Sequence, residues 1–319
     1  MGAPEAATVT ALNMKFAIRV SVIIPVYNRQ VLGERALRSV ITQDVSGMEI
    51  VVVDDCSQPP FRLPGNLQDH PSIRLVRLDQ NEGESGSRNA GVAAARGDWI
   101  AFLDSDDYWL PGTLAPRLSA AERSFAKSND PLTVYVGGFV IENKRLGRKK
   151  PRMTVASDDP KMFASGCWFC PGSTSLLRKD VFVKVGPCDV TLRRLQDLDW
   201  FLRLALCGGR VTVWDEFVAV VQREPKAVNG TLATAIDRLE WKYASPSGPF
   251  QLAPVLVRKL KAYFDIERAA LSAAEKNWLG TAYFISRSLA RVPRSTLHLE
   301  RFWHRPVECK LSTLKFEEI

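Results

Sequence analysis

The 319-residue sequence lacks several features that would assign it to a particular class of protein. It has no run of about 18 or more apolar residues, the length a transmembrane helix needs, so we expect no membrane-spanning segment. The six cysteines are scattered in a chain too large to need disulfide staples, which predicts free thiols in a reducing cytoplasm. None of the three histidines is spaced to complete a zinc site with Cys167 and Cys170.

The first residues also lack the basic start and continuous apolar core of a secretory signal. We therefore expect residues 1–17 to form a loose N-terminal tail before the first strand. Met14 leads directly into that strand, so an alternative start at this residue stays open.

Acidic residues are fewer than basic ones: 35 Asp and Glu stand against 43 Lys and Arg, a net charge of +8. Residues 226–319 hold 15 Lys and Arg against 9 Asp and Glu, and residues 144–152 hold six cations. The surplus indicates either ordinary solvated faces or attraction to an anionic membrane and a lipid-pyrophosphate acceptor. Zinc-finger, recognition-helix and ribonucleoprotein motifs are absent, so we expect no nucleic-acid partner.

The hydrophobic pattern of the first 110 residues alternates between short strands and amphipathic helices. It predicts strands at 20–26, 49–53, 73–78 and 99–103 and helices at 30–43 and 84–96. This alternation predicts an α/β fold, with a Rossmann-like, mostly parallel central sheet covered by flanking helices.

The rest of the chain is mixed and then helical. The middle third predicts strands at 132–142, 173–177, 210–214 and 218–222, helices at 179–185 and 196–206, and a charged loop at 143–152. Beyond about residue 226 the pattern predicts helices at 227–243, 252–264 and 269–290, which form a helical C-terminal extension.

Polar residues follow the ends of three predicted strands, and a Gly-rich segment with Arg88 lies between them. The strand ends carry Pro25 to Asn28, Asp54 and Asp55, and the run Asp104-Ser105-Asp106-Asp107. Ligands bind at the carboxyl edge of an open α/β sheet, where carboxylates escape the cost of burial in the core. Asp55 can accept a hydrogen bond from a nucleotide base or ribose. Asp104 and Asp106 can reach a sugar nucleotide and a divalent cation.

These motifs, in this order over residues 20–225, resemble glycosyltransferase family 2, the inverting GT-A enzymes with an Asp-x-Asp motif. The sequence looks similar to the bacterial succinoglycan-type exopolysaccharide glucosyltransferases. A fifth motif, Gln196-Asp197-Leu198-Asp199-Trp200, matches the Glu-Asp-x-Asp-like helix motif of the family. Gln196 departs from the Glu that usually stands there, and we expect this difference to alter acceptor contacts rather than abolish activity.

The resemblance implies a role for each matching residue. Asp197 is the expected general base, with Asp199 as the alternative, and Asp106 is expected to bind Mg²⁺ or Mn²⁺. The implied donor-binding residues are Pro25, Tyr27, Asp55, Arg88, Asp104 and Ser105. The expected acceptor-binding residues are Trp168, Asp199 and Trp200. Trp109, Trp168 and Trp200 are also candidates for a sugar-stacking platform, because aromatic rings suit the apolar face of a hexose.

The resemblance also implies the domain organisation and the reaction. Residues 18–225 are the expected GT-A catalytic domain, with a nucleotide-binding half at 18–110 and an acceptor half at 111–225, followed by a basic helical region at 226–319. We expect transfer of a hexose, first of all glucose from UDP-glucose, to a lipid-linked polyprenyl pyrophosphate oligosaccharide in exopolysaccharide synthesis. The expected location is cytoplasmic and peripheral on the inner face of the cell membrane.

Three alternatives stay open. The chain could serve O-antigen or capsule assembly with another UDP- or dTDP-sugar, or it could be an inactive protein that binds sugar nucleotides. A nucleotidyltransferase could also use strand-end carboxylates, but residues 25–29 lack the Gly-rich phosphate loop such enzymes carry. The family's processive synthases carry membrane helices and a Gln-x-x-Arg-Trp motif, and their absence favours a single addition per encounter.

Overall fold

The computed structural model describes residues 18–128, 132–166, 172–222, 231–293 and 303–304. The predicted tail, the predicted acceptor residue Trp168, and Cys167 and Cys170 lie outside these ranges. Within the described ranges, no helix combines the length and apolar composition that a bilayer span requires.

A mixed β-sheet runs through the centre of the described structure. Its strands are β1 (Val20–Val26), β2 (Met48–Asp54), β3 (Ile73–Arg77), β4 (Trp99–Phe102), β5 (Tyr108–Trp109), β6 (Thr133–Asn143), β7 (Arg148–Thr154), β8 (Leu176–Arg178), β9 (Arg210–Gln222) and β10 (Trp303–His304). The order is β10-β7-β6-β8-β4-β1-β2-β3, and β9 pairs with both β5 and β6. β3, β2, β1 and β4 are mutually parallel, while β8 joins β4 antiparallel.

Helices pack on both faces of the sheet and continue beyond it. They are α1 (Gln30–Ile41), α2 (Gly83–Ala94), α3 (Leu114–Ser128), α4 (Pro160–Phe163), α5 (Lys179–Val185), α6 (Gln196–Leu206), α7 (Thr231–Ala244), α8 (Pro254–Ala274) and α9 (Trp278–Arg291). The last three form the helical C-terminal region.

Alternating side chains of the central strands enter two separate hydrophobic cores. Val22 and Ile24 of β1 point to the core that includes Leu37 of α1. Ile23 of β1 and Val53 of β2 point to the opposite core, which also holds residues of α2, α6, α7 and α8. Because successive strand residues face opposite sides, a continuous apolar run is what a sheet covered on both faces requires.

The four strands predicted in the first 110 residues are confirmed to within one residue at either end. The charged loop predicted at 143–152 is wrong, because much of it forms β7, antiparallel to β6. The cross-strand partner Glu142 offsets part of the positive charge, since its carboxylate lies 3.4 Å from Lys149 Nζ. Local composition indicated a solvated loop, whereas pairing with a distant strand selects the extended form.

Other boundaries also differ from the predictions. β9 runs continuously from Arg210 to Gln222 instead of forming two strands, and its pairing with β6 shifts register at Gly137 and Gly138. The sequence reasoning missed α3 altogether. α8 continues to Ala274. Lys276 has a φ of 59°, so the helical conformation is interrupted there. The Asn277 side chain then caps α9 by accepting from the Gly280 N–H at 2.9 Å.

Candidate functional site

A cavity of about 260 Å³ opens at the carboxyl ends of β1, β2 and β4. Parallel strands bring their following residues to one edge of the sheet, so segments distant in sequence meet there. The lining residues are Pro25, Val26, Tyr27, Arg29, Asp55, Glu84, Ser87, Asp104, Ser105 and Asp106. Six predicted residues therefore lie together: Pro25, Tyr27, Asp55, Asp104, Ser105 and Asp106.

The adjacent carboxylates at the end of β2 have different environments. Asp54 accepts from the backbone N–H groups of Ser57 and Phe61 and pairs with Arg77, so it holds the loop after β2. Burial alone would raise the pKa of Asp54, but these hydrogen bonds and the Arg77 charge hold it below its usual value. Asp54 thus stabilises the loop and does not line the cavity.

Asp55 connects the end of β2 to the start of α2. Its carboxylate accepts from the Glu82 N–H at 2.7 Å, the Gly83 N–H at 2.9 Å and Asn81 Nδ2 at 2.8 Å. Desolvation raises the pKa of Asp55, partly offset by the two backbone hydrogen bonds. Because a carboxylate can accept about four hydrogen bonds, capacity for one from a nucleotide remains.

The acidic run after β4 also contains both cavity-facing and buried carboxylates. Asp104 and Asp106 face the cavity, and Asp106 pairs with Arg29 Nη1 at 2.7 Å. Asp107 is buried and accepts from Ser173 Oγ at 2.5 Å and from the Gln222 N–H at 3.0 Å. Burial, followed by repulsion from Asp104 and Asp106, raises the pKa of Asp107 well above its usual value.

Arg88 lies behind the cavity and joins three carboxylates. Its guanidinium contacts Glu84 at 2.5 Å, Asp197 at 2.7 Å and Asp104 at 2.9 Å. The side chain is almost fully buried, so its charge requires such partners. Gly172 makes room for it, because a Cβ at that position would lie 2.3 Å from Arg88 Nη2. Arg88 is thus a bridge between the Asp-x-Asp segment and α6.

Glu84 is a titratable group at the cavity wall that the sequence reasoning did not single out. Desolvation raises its pKa to about 7, opposed by Arg88 and reinforced by Asp104 and Asp197. Gln196 donates from Nε2 to Glu84 Oε2 at 2.8 Å. The glutamine that departs from the family pattern therefore supplies a neutral donor to Glu84, where a second carboxylate would add repulsion.

Two aspartates at the start of α6 point to different surroundings. The Asp197 side chain is 31% exposed and pairs with Arg88. The Asp199 side chain is 0% exposed and binds Arg203, Lys242 and the Tyr243 hydroxyl. Residues two apart on a helix lie on different sides, so one faces the site and the other faces α7.

Trp200 is buried, stacks on Phe182 and donates from Nε1 to the Gly186 carbonyl at 3.0 Å. It lines a small cavity of about 20 Å³ together with Asp197 and Arg88. Trp109, considered as part of a sugar-stacking platform, is also fully buried. Of the predicted acceptor residues, Asp199 and Trp200 are thus held inside the fold.

The residues at the cavity fit a divalent cation of the Mg²⁺ type. Asp104 and Asp106 offer hard carboxylate oxygens on one wall, and such ions are commonly held by one or two carboxylates plus substrate phosphates. Among the described residues there is no cluster of three or more His, Cys, Asp or Glu that would form a protein-only site. A cation held at this wall would therefore take its remaining ligands from a bound phosphate group or water.

Sequence reasoning missed Arg29, Glu84 and Ser87 as cavity residues. Arg29 directly follows the first motif, while Glu84 and Ser87 lie one turn apart in the segment already noted for Arg88. A helical reading of that segment puts Glu84 and Arg88 four residues apart on one face, which is a signal for an ion pair.

Comparison with known proteins finds similar sequences among bacterial polysaccharide-synthesis proteins and glycosyltransferases. The chain is 40% identical over 108 residues to the succinoglycan biosynthesis protein ExoO of Rhizobium meliloti, covering 34% of this chain and 31% of that protein. It is 38% identical over 111 residues to a GalNAc(5)-diNAcBac-PP-undecaprenol beta-1,3-glucosyltransferase of Campylobacter jejuni, covering 34% and 36%. An uncharacterized glycosyltransferase of Haemophilus influenzae is 28% identical over 193 residues, covering 58% and 61%. The chain thus spans less than two thirds of the length of each relative.

Solved structures share the fold. S. aureus TarS 1–349 in complex with UDP superimposes with a TM-score of 0.52 and 17% identity, covering 87% of this chain and 82% of that chain. The model of glycosyl transferase family 2 matches residues 21–186, which is more than half of the chain. The described part has the GT-A architecture with a helical C-terminal region. The resemblance inferred from the motifs is confirmed, and the chain belongs to glycosyl transferase family 2.

Proposed function

We propose that the chain is an inverting glycosyltransferase that moves a hexose, first of all glucose from UDP-glucose, to a lipid-linked oligosaccharide in bacterial exopolysaccharide assembly. The observation that carries the proposal is the bridge from Asp104, in the cavity, through Arg88 to Asp197. A carboxylate suited to removing a proton thus lies beside a cavity suited to a sugar nucleotide. The names of the Rhizobium and Campylobacter relatives support the substrate class.

Asp197 acts as the general base in this proposal. One of its carboxylate oxygens takes the proton of the acceptor hydroxyl. At the same time the oxygen of that hydroxyl bonds to the anomeric carbon of the donor sugar. The bond from that carbon to the diphosphate oxygen breaks, and its electron pair leaves with UDP. A single displacement inverts the anomeric centre. Arg88 orients Asp197 through the 2.7 Å contact.

The cavity residues hold the donor. Pro25 and Tyr27 line the nucleoside end, Asp55 accepts a hydrogen bond from the base, and Asp104 with Ser105 contacts the ribose or sugar. Asp106, with Asp104 beside it, would hold Mg²⁺ or Mn²⁺, which neutralises charge on the departing diphosphate. In this proposal residues 18–110 are the nucleotide-binding half of a catalytic domain that spans residues 18–225.

The acceptor side involves residues 111–225 and the basic region 226–319. Trp168 is proposed to contact the acceptor sugar. For Asp199 and Trp200 the described contacts support a role inside the fold. In this proposal they act on the acceptor indirectly, by holding α6 in position. We propose that the enzyme works peripherally on the anionic inner face of the membrane, where a polyprenyl pyrophosphate acceptor is accessible.

The direct test measures release of the nucleoside diphosphate, UDP from a panel of UDP-hexoses and dTDP from a dTDP-hexose, with membrane lipid extract as acceptor source, in Mn²⁺ and in EDTA. Binding of each sugar nucleotide is measured separately by calorimetry. We expect acceptor-stimulated, Mn²⁺-dependent UDP release with one preferred donor. A preferred donor other than UDP-glucose would select the O-antigen or capsule alternative. Donor binding without any turnover would select the inactive binding protein, and no binding of any sugar nucleotide would refute the proposal.

A second measurement identifies the acceptor. Mass spectrometry of lipid-linked intermediates that accumulate in a deletion strain, compared with the next intermediate, gives the acceptor and the added sugar mass. A mass difference of one hexose supports the proposed transfer. Unchanged lipid-linked intermediates would contradict it.

A further inference from the structure

One side of α9 is occupied by contacts with α8. Ser288 is buried and donates from Oγ to the Ala262 carbonyl at 2.8 Å. Arg287 and Arg291 both pair with the fully buried Asp265 of α8, at 3.1 Å and 2.9 Å. These contacts fix which side of α9 faces the protein and which side faces outward.

The outward side of α9 is uncharged and largely apolar. Ser286 is exposed within it, and its Oγ donates to the Tyr283 carbonyl at 2.8 Å. The large side chains on this side are Trp278, Leu279, Tyr283 and Ile285, and Leu279 and Trp278 are 87% and 68% exposed. At 3.6 residues per turn, these four and the exposed Ala282 fall within a sector of about 160°. We call these five residues the α9 apolar face.

One edge of this face is basic, because Arg287 and Arg291 follow Tyr283 around the helix and α9 contains no acidic residue. Both arginines and Arg268 of α8 surround the one buried carboxylate of Asp265, and Arg268 also contacts Glu240 and Asp237 of α7. Arg287 and Arg291 side chains remain about a third exposed, so their aliphatic stems can cover apolar surface while the guanidinium groups reach anionic headgroups.

The size of the face decides between a lipid surface and a second copy of the chain. A helix of 14 residues is about 21 Å long and about 10 Å wide, so one face offers on the order of 200 Å². A stable protein interface needs about 800 Å² from each partner. A helix that lies in the headgroup region needs only one apolar face with Trp and cations beside it, because lipid surrounds that face on all sides.

We propose that the α9 apolar face docks the protein on the interfacial region of an anionic lipid bilayer. This inference rests on the proposed membrane location and names the surface responsible. Leu279 and Tyr283 enter the boundary between headgroups and acyl chains, Trp278 lies at headgroup level, and Arg287 contacts lipid phosphates.

The test is co-sedimentation of the full chain with vesicles of phosphatidylcholine alone or mixed with phosphatidylglycerol. The double variant Leu279→Ser/Tyr283→Ser should bind the mixed vesicles at least about tenfold more weakly, or 1.4 kcal/mol. The matched control is Val31→Ser/Val183→Ser, which removes two apolar side chains that are 79% and 70% exposed on α1 and α5. The control should bind like the unchanged chain.

Several results would overturn the docking proposal. These are equal binding of the α9 variant and the unchanged chain, equal binding to neutral and anionic vesicles, and no vesicle binding at all. A dimer in size-exclusion chromatography that the α9 variant alone dissolves would assign the face to a second copy instead.

A site-specific readout covers the case in which a variant folds poorly. Brominated lipids should quench the fluorescence difference between the unchanged chain and Trp278→Phe, because only Trp278 contributes to that difference. An unquenched difference would refute docking through α9. UDP release from soluble donor, measured on the same samples, tests the proposed enzymatic function separately, since that reaction does not require vesicles.

Discussion

The two aspartates at the start of α6 should respond in opposite ways to the same substitution. Asp197→Asn should retain donor binding and stability and lose sugar transfer, because the amide cannot take the acceptor proton. Asp199→Asn should destabilise the fold while the remaining folded protein still transfers sugar. One helix thus provides both a catalytic test and its matched control.

The expected magnitudes follow from the partners of each carboxylate. Asp199 is fully buried and lies 2.6 Å from Lys242 Nζ and 3.0 Å from Arg203 Nε. Its neutralisation leaves Lys242 largely buried, with Asp189, at 3.0 Å, as its one remaining charged partner among the described residues. Breaking a buried pair in this way costs about 3–5 kcal/mol. Asp197 is partly exposed and has one charged partner, so its loss costs about 1 kcal/mol or less.

The assay combines urea unfolding with UDP release normalised to folded protein. The free energy of unfolding should fall by several kcal/mol for Asp199→Asn and hardly change for Asp197→Asn. Transfer should fall at least about a hundredfold for Asp197→Asn, the lower range for a general base. The reverse pattern, with transfer lost only in Asp199→Asn, would falsify the assignment and make Asp199 the base.

Three further predictions concern the cavity and its bridge. Asp106→Ala should lose the Mn²⁺-dependent part of UDP binding in calorimetry, and an unchanged Mn²⁺ dependence would remove Asp106 as a metal ligand. The raised pKa of Glu84, about 7, means that the folded state keeps a proton the unfolded state releases near pH 4.5, so stability falls as pH rises through that window. Glu84→Gln should remove this fall, and parallel stability curves for variant and unchanged chain would contradict the assignment. Gly172→Ala should displace Arg88 and lower transfer about tenfold or more, whereas Gly65→Ala, which meets no atom within 4 Å, should leave transfer unchanged.

Local sequence predicted the elements whose environment is uniform. β1 and β2 are buried along nearly their whole length, so a continuous run of β-branched residues identified them without knowledge of their partners. α6 was likewise predicted with the bounds the structure has, because its apolar residues repeat with helical spacing. The Asp-x-Asp and strand-end motifs were also visible in sequence, since each apolar run ends abruptly and polar residues follow it.

Other elements required partners that are distant in sequence. The basic sequence of β7 predicts a loop when it is considered alone. In the folded chain β6 supplies its hydrogen-bond partners and Glu142 supplies an opposite charge. The bridge of Arg88 to Asp104 and Asp197 joins residues 16 and 109 positions apart, which spacing alone does not reveal.

The sequence by itself determined the family, the parallel half of the sheet and the carboxylates at its edge, because each depends on short-range pattern and motif order. Motif matching also favoured Asp55, Asp106 and Asp197 over their acidic neighbours Asp54, Asp107 and Asp199. Only the tertiary structure shows the contacts that distinguish the members of each pair. Burial and the nearest N–H or cation separate them, and these are properties of chain segments that meet only after folding.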